Sequence, residues 1–412
     1  MINVVNKEMC CGCTACASIC GKDAISMEID NEGFLYPKVD LNKCIDCHLC
    51  EKVCPVNFRD RLKQMSKPQI FLAGRLNNFD DLMKSSSGGA FWAFAQEAIS
   101  RNGVVVGAMY SENMCVIHGF ADSIELCKKF RGSKYSQSNV EGVFPKVKKL
   151  LQSGKFVLYT GNPCQVQGLK LYLRKSYDNL ITVDLVCHAV SSPKIFKEYC
   201  NFSSDIFGKR IVSINMRDKS NACRKQGTTY RYFFDDGTSE IDSGKVANWG
   251  KLFFSQYINR PSCHSCRFTN LHRPGDISIG DFWDFGHNRD DIRNINGTSL
   301  ILINSEKGKT FFDASGKYFD LFEVSEKDSL QPNLIRPTQQ HKDREKFWMY
   351  YHKYGFPRTY KKFFADSCFA KCKKRVIIVA KKIEPVGRKL IGDAGIVFLK
   401  KMLVKFGRFI SI

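Results

Sequence analysis

The sequence predicts two architectures in one chain: a small cysteine-organised α+β domain over residues 1–60, and a larger mixed α/β region behind it. Three observations lead there. Eight of the 19 cysteines fall in two identically spaced runs before residue 55. That segment has no long periodic helix or strand, so it has to fold around something other than an apolar core. From Gln69 onward, apolar β-type runs alternate with helical stretches, which is the pattern of an α/β unit.

The two runs are Cys10, Cys13, Cys16, Cys20 and Cys44, Cys47, Cys50, Cys54, the second followed by Pro55. Each reads C-x2-C-x2-C-x3-C, the bacterial ferredoxin spacing, in which the fourth cysteine of each run ligates the cluster of the other. Two 4Fe-4S clusters are therefore expected, one on Cys10, Cys13, Cys16 and Cys54, the other on Cys44, Cys47, Cys50 and Cys20. Three neighbouring thiolates wrap three corners of a cubane, and the fourth comes from the pseudo-symmetric half and locks the halves together. Gly12, Thr14 and Ala15 allow a tight turn there, Gly21 stands where a second proline is expected, and Cys11 reads as a spare thiol. The competing expectation is a zinc ribbon, although zinc calls for C-x2-C pairs rather than two complete runs.

Bulk composition agrees with a folded chain. Apolar residues make up 43% and charged residues 25%, near globular averages, which excludes a mainly disordered or fibrous protein. The start, MINVVNKEMCC, has no basic segment leading into an apolar core. No apolar run approaches the roughly 18 residues of a membrane span. The expected compartment is the cytoplasm, where thiols stay reduced and metal ligation explains many cysteines better than disulfides do. The net charge of +22 is concentrated at the end: residues 358–412 hold fifteen Lys plus Arg against three Asp plus Glu.

Further elements follow in order. RDRLKQMSKP, Arg59 to Pro68, reads as a linker. Strands are expected at Val104–Tyr110, Lys155–Thr160 and Leu180–Val186, and a helix at Pro193–Phe207 with Ser192 as its N-cap. RIVSINMR is a strand, and TTYRYFFDDGTSEID a pair of β-rich stretches around an Asp-Asp-Gly-Thr turn. Asp276–Phe282 and Ser299–Asn304 are strands, and the last 55 residues suit amphipathic helices. Expected boundaries are 1–60, 69–190, 191–345 and a basic extension over 358–412.

Four more cysteines stand out: Cys164 in GNPCQVQGL, Cys187 in DLVCHAV, and Cys263 with Cys266 in RPSCHSCRFTN. The first two follow expected strands at the carboxyl end, where open α/β sheets place ligand-binding residues. With the C-x2-C pair they make four thiolates, enough for a further cubane. By spacing alone it stands equally that Cys164 and Cys187 are ordinary buried cysteines while the pair binds zinc with His264 or His272.

GNPCQ, DLVCH, SCHSCRF and GDISIGDFW, in that order behind a double ferredoxin run, resemble the beta-subunit family of coenzyme F420 hydrogenases and dehydrogenases. The resemblance covers Cys10 to roughly Asn304. It implies a third 4Fe-4S cluster on Cys164, Cys187, Cys263 and Cys266, and a bound FAD. SSSGGAFWAF matches the family's Ser-Gly-Gly segment, which makes Ser86, Ser87, Gly88 and Gly89 an anion cradle opening a helix at Ala90. A plain N-cap with a flexible turn is the alternative. RGSKYSQS likewise implies flavin contacts at Ser133, Lys134, Tyr135 and Ser138, with Asn162 and Pro163 as further candidates. Asp281 and Trp283 of GDFWDFG would lie near the redox centre, against core packing of Phe282 and Trp283. His188 and His264 flank proposed ligands as proton donors or as hydrogen-bonding supports. No catalytic residue is identified.

The expected function is that of an iron-sulfur flavoprotein oxidoreductase passing electrons between clusters, FAD and an unidentified two-electron acceptor or donor. An electron-transfer subunit with no substrate of its own is the alternative. Expected partners are a redox protein such as ferredoxin, or a catalytic subunit, and a small-molecule acceptor. The basic extension is expected either to rest on an anionic membrane surface or to cover the protein's own core. Nucleic acid is not an expected partner, because the charge sits in an apolar-rich tail without a reading motif. Cys368 and Cys372 are not expected to be ligands.

Overall fold

A computed structural model describes residues 1–57, 67–220, 229–242, 244–283, 289, 291–292 and 294–364. The body of the expected linker, the extension beyond residue 364, Cys368 and Cys372 lie outside the described residues.

The cysteine-rich segment is built as two similar halves around a hairpin. Strands β1 (Ile25–Ile29) and β2 (Leu35–Val39) pair antiparallel. Asp30 shapes their turn by accepting the N–H groups of Glu32 and Phe34 through Oδ1. Each half places a short helix behind its second cysteine, Ala15–Ile19 after Cys13 and Leu49–Lys52 after Cys47. Both helices are entered through a left-handed residue, Thr14 at φ 61° and His48 at φ 58°. The sequence repeat is thus also a backbone repeat.

The larger region contributes β3 (Ile70–Leu76), β4 (Val104–Tyr110), β5 (Val116–Ala121), β6 (Val157–Gly161), β7 (Leu180–Leu185), β8 (Ile211–Asn215), β9 (Arg231–Phe234), β10 (Ser239–Ile241), β11 (Ile277–Asp281), β12 (Ser299–Ile303) and β13 (Phe319–Glu323). Eight form one mixed sheet in the order β13-β3-β12-β11-β7-β6-β4-β5. The four central strands β11, β7, β6 and β4 are mutually parallel, and antiparallel strands close both sides. Their carboxyl ends therefore share one edge. β8, β9 and β10 make a separate three-stranded sheet, whose β9–β10 hairpin turns at the expected Asp-Asp-Gly-Thr. The helix Pro193–Phe207 begins where expected, with Ser192 Oγ accepting the N–H of Ile195 at 3.2 Å.

One face of the large sheet carries a core that includes Phe94, Phe311, Phe312 and Phe319. On the other face Cys13, Ala15 and Val53 of the ferredoxin part join Val140, Phe144, Tyr159 and Leu169 in a single buried cluster. The contact is close. A Cβ on Gly33 would lie 2.3 Å from Lys194 Cβ, so only glycine fits there. Arg344 reinforces it with a bidentate ion pair to Glu32. Residues Met1–Phe356 form one compact unit and Pro357–Ile412 a second. Gly355, at φ 72°, interrupts the helix Arg344–Phe364 beside that boundary. Among the described residues no helix is long and apolar enough to cross a membrane.

Candidate metal centre

Cys10, Cys13, Cys16 and Cys54 line one cavity. Backbone N–H groups of Gly12, Ala15, Ala17 and Asn57 point at these four thiols in turn. N–H···S bonds of this kind stabilise thiolate and tune cluster potential. Burial alone works the other way, pushing the Cys16 thiol well above its ordinary range and Cys54 up to about 11. Without a cation these thiols stay protonated; a coordinating metal deprotonates them outright.

Of the second set, Cys50 is buried, Cys20 and Cys44 are half-buried, and Cys47 is exposed. Cys50 Sγ accepts the N–H of Ile2 at 3.2 Å, and Cys20 Sγ that of Ala24 at 3.3 Å. Cys16 and Cys50 share one small buried cluster with Ile2, flanked by Cys54, so the two sets adjoin.

A second cavity of about 300 Å3 is lined by Cys164, Cys187, Cys263 and Cys266, together with Cys11, Asn162, Pro163, His188 and Arg260. Cys164 starts the helix Pro163–Leu173 just after β6, fixed by Gln165 Oε1 accepting the Asn162 N–H at 3.0 Å. Cys187 follows β7. Cys263 and Cys266 sit in the connection to β11, where the N–H groups of Val190 and Phe268 donate to them. A wholly buried ion pair, Asp184–Arg273, ties that connection to the end of β7. Arg273 also donates to the carbonyls of Phe268 (2.8 Å) and Leu185 (2.8 Å), and Asp184 accepts the Gly275 N–H at 2.7 Å. Burial raises the Cys187 thiol well above its ordinary range and Cys263 to about 12.

Arg260 stands between the two cavities and is only 1% exposed. It donates to the carbonyls of Cys10 (2.7 Å) and Leu35 (2.8 Å), to Gln137 Oε1 (3.0 Å) and, more distantly, to Cys10 Sγ (3.6 Å). Its guanidinium lies 4.4 Å from the centre of the Tyr36 ring. Among the described residues no carboxylate pairs with it. Burial opposes its charge, and the Cys10 sulfur, the Tyr36 hydroxyl and the sulfurs of Cys11 and Cys263 uphold it. A buried cation without a counter-charge is strongly unfavourable. Thiol-ringed cavities, amides aimed at sulfur and a buried cation beside sulfur, with no carboxylate paired to it among the described residues, fit 4Fe-4S clusters, whose thiolate-bound forms are negative. Sequence reasoning passed over Arg260 and Arg273; neither carries a local signal beyond standing near a C-x2-C pair.

The segments matched to flavin contacts gather at the carboxyl edge of the sheet, where several of their side chains bond to neighbouring groups of the chain. Ser86 Oγ accepts the Ser133 N–H at 2.8 Å, and Ser87 Oγ donates to the Thr298 carbonyl at 2.9 Å. Lys134 Nζ donates to the carbonyls of Phe130, Arg131 and Gly132, and burial draws its pKa down to about 7. Ser138 Oγ accepts from Gln165 at 3.0 Å. Tyr135 faces Arg217, which forms a two-pronged ion pair with Asp281 at 2.8 Å. Phe282 packs into the core, whereas Trp283 is exposed. Asn162 and Pro163 line the cysteine cavity, and the Gln165 side chain links Asn162 to Ser138.

Gly88 and Gly89 answer to the sheet itself. A Cβ on Gly88 would lie 2.2 Å from the Gly74 carbonyl oxygen and 2.4 Å from the Ser299 nitrogen, and Gly89 has φ 90°. Gly88→Ala is expected to destabilise the fold by about 1–3 kcal/mol, seen as a lower denaturant midpoint with unchanged slope.

His188 contacts Asn333 at 3.3 Å and Gln256 at 3.1 Å, and His264 Nδ1 contacts the Thr338 carbonyl at 3.0 Å. Burial lowers the pKa of both. Nε2 of His264 is buried without a partner.

Residues 9–58 match the family model described as 4Fe-4S dicluster domain, and residues 154–327 match the model for the carboxyl-terminal part of the coenzyme F420 hydrogenase/dehydrogenase beta subunit. A chain in the solved structure of the F420-reducing [NiFe] hydrogenase complex from Methanosarcina barkeri, studied with xenon, is 18% identical, with 72% of this chain and 92% of that one covered and a TM-score of 0.43. No curated protein matches. With a dicluster domain in front and, behind it, a region similar to the carboxyl-terminal part of the beta subunit, the chain resembles coenzyme F420 hydrogenase/dehydrogenase beta subunits over residues 9–58 and 154–327.

Proposed function

We propose that the chain is an oxidoreductase subunit that moves electrons through three 4Fe-4S clusters: two on the N-terminal runs, in the crossed sets given above, and a third on Cys164, Cys187, Cys263 and Cys266. Arg260 is the observation that carries this reading. Its charge is buried beside Cys10 Sγ and on the wall of the cavity lined by the third cysteine set, with no carboxylate paired to it among the described residues.

When bound, such clusters supply single-electron transfer, and FAD, implied by the family resemblance, joins single-electron to two-electron chemistry. The residues of the chain supply placement, charge and dryness. Arg260 holds a fixed positive charge beside Cys10. Backbone amides direct hydrogen bonds at the sulfurs, and the Asp184–Arg273 pair fixes Cys187 against Cys266. FAD would be taken at the 86–89 and 133–138 edge, which the Ser86–Ser133 bond now joins. Donor or acceptor would be a redox protein, a catalytic subunit or a small organic molecule.

Exposure of Cys47, with Leu41 and Ile45 open beside it, favours a second reading, an electron-transfer subunit docking through that edge. An active single chain turning over an organic substrate with a simple electron donor excludes it.

Anaerobically prepared protein is expected to contain about 12 iron and 12 sulfide per chain, and Cys164→Ser about eight of each. Flavin is assayed in the same sample. Zinc in place of iron, or an unchanged iron count in Cys164→Ser, overturns the three-cluster reading.

A further inference from the structure

The second cavity is lined by five cysteines, one more than a cubane takes, and the fifth, Cys11, comes from the ferredoxin part. Cys11 is also part of the lining of the first cavity. It lines the first cavity with Cys13 and the second with Cys164, one from each proposed ligand set. We propose that Cys11 is the contact through which electrons pass between the first N-terminal cluster and the third. The proposal rests on the three-cluster reading above.

The backbone at this point is built for the approach. The Cys11 carbonyl accepts Gln137 Nε2 at 2.9 Å, and the Cys10 carbonyl accepts Arg260 Nε at 2.7 Å, so the segment is pinned by two side chains that also bond to each other. Gly12 has φ +68°, and a Cβ there would lie 2.7 Å from an Arg260 guanidinium nitrogen. Across the junction, a Cβ on Gly168, in the helix that carries Cys164, would lie 2.9 Å from Cys13 Sγ. Two glycines thus let the two thiol sets meet, and the Cys11 sulfur fills the space between them. Electron transfer decays steeply through empty space and less so through atoms in contact, and sulfur is polarisable. The step is simple: one electron leaves the reduced first cluster and enters the oxidised third, and no bond or proton changes place.

The test uses the full chain and Cys11→Ala and Cys11→Ser variants, reconstituted without oxygen and reduced with dithionite. Iron content and the potentials of individual clusters, read by electron paramagnetic resonance, should match the wild type. In freeze-quenched samples, arrival of the electron at the third cluster should slow by about tenfold or more in Cys11→Ala. Separately, cluster-free wild-type protein treated with dibromobimane should give a bridged Cys11–Cys164 or Cys11–Cys13 peptide. An unchanged arrival rate overturns the proposal. So does a loss of about four irons from Cys11→Ala, since Cys11 would then be a ligand. No bridged peptide would show the thiols to be apart and would overturn it as well. Wild-type protein with only about eight irons instead defeats the third-cluster reading, a distinguishable failure.

Discussion

Arg260→Met should lower the midpoint potentials of the first and third clusters, by roughly 100 mV, and leave the second nearly unchanged. The Arg260 guanidinium lies 3.6 Å from Cys10 Sγ and on the wall of the second cavity. A unit charge at a few ångströms is worth about 2–4 kcal/mol at an effective dielectric near 20. For a one-electron couple, 59 mV corresponds to about 1.4 kcal/mol. Losing the cation makes each neighbouring cluster harder to reduce, so the shift is downward. Stability should respond in opposite ways in the two forms. With iron bound, Arg260 balances negative charge and its removal destabilises. Without iron, Arg260 is an uncompensated buried cation, and methionine relieves that cost while giving up the bonds to the Cys10 and Leu35 carbonyls. Arg260→Lys keeps the charge and loses the fork, so its potentials should move less. Redox titration of the three clusters and thermal melts with and without iron are the measurements; equal shifts at all three clusters would mean that Arg260 acts through the fold, not through its field.

What the sequence made legible was local. Cysteine spacing is read directly because a cubane has to be wrapped by neighbouring thiolates. β6 and β12 are buried at every position, and so read as continuous apolar runs. Ser192 reads as a cap because capping acts over three residues. What stayed hidden depends on distant partners. β3 lies between β12 and β13 at one side of the sheet, an order set by pairing across more than 200 residues. The ferredoxin part shares a core with Phe144 and Tyr159, though its own residues carry no mark of it. Cys11 looked spare because its neighbour in space, Cys164, is distant in sequence. Gly88 and Gly89 suggested a cradle for a ligand, yet the sheet's own backbone already demands glycine there.

Asp184→Asn should be the most destabilising single change in the chain, and it should cost the third cluster first. Both partners of the Asp184–Arg273 pair are wholly inaccessible. Removing the carboxylate charge leaves the guanidinium buried and uncompensated, a loss of about 3–5 kcal/mol. Asp184, next to last in β7, stands three residues before Cys187, while Arg273 grips the carbonyl of Phe268, whose N–H points at Cys266. Breaking the pair therefore loosens two thiols that must face each other. Iron should fall by about four per chain with the N-terminal eight retained, alongside a lower denaturation midpoint. Asp184→Leu with Arg273→Met removes both charges at once and should recover much of the stability. It should not recover the iron, because Leu185 and Phe268 stay unclamped. Recovery of both together would mean that the pair serves only the fold, and that the positions of Cys187 and Cys266 are set elsewhere.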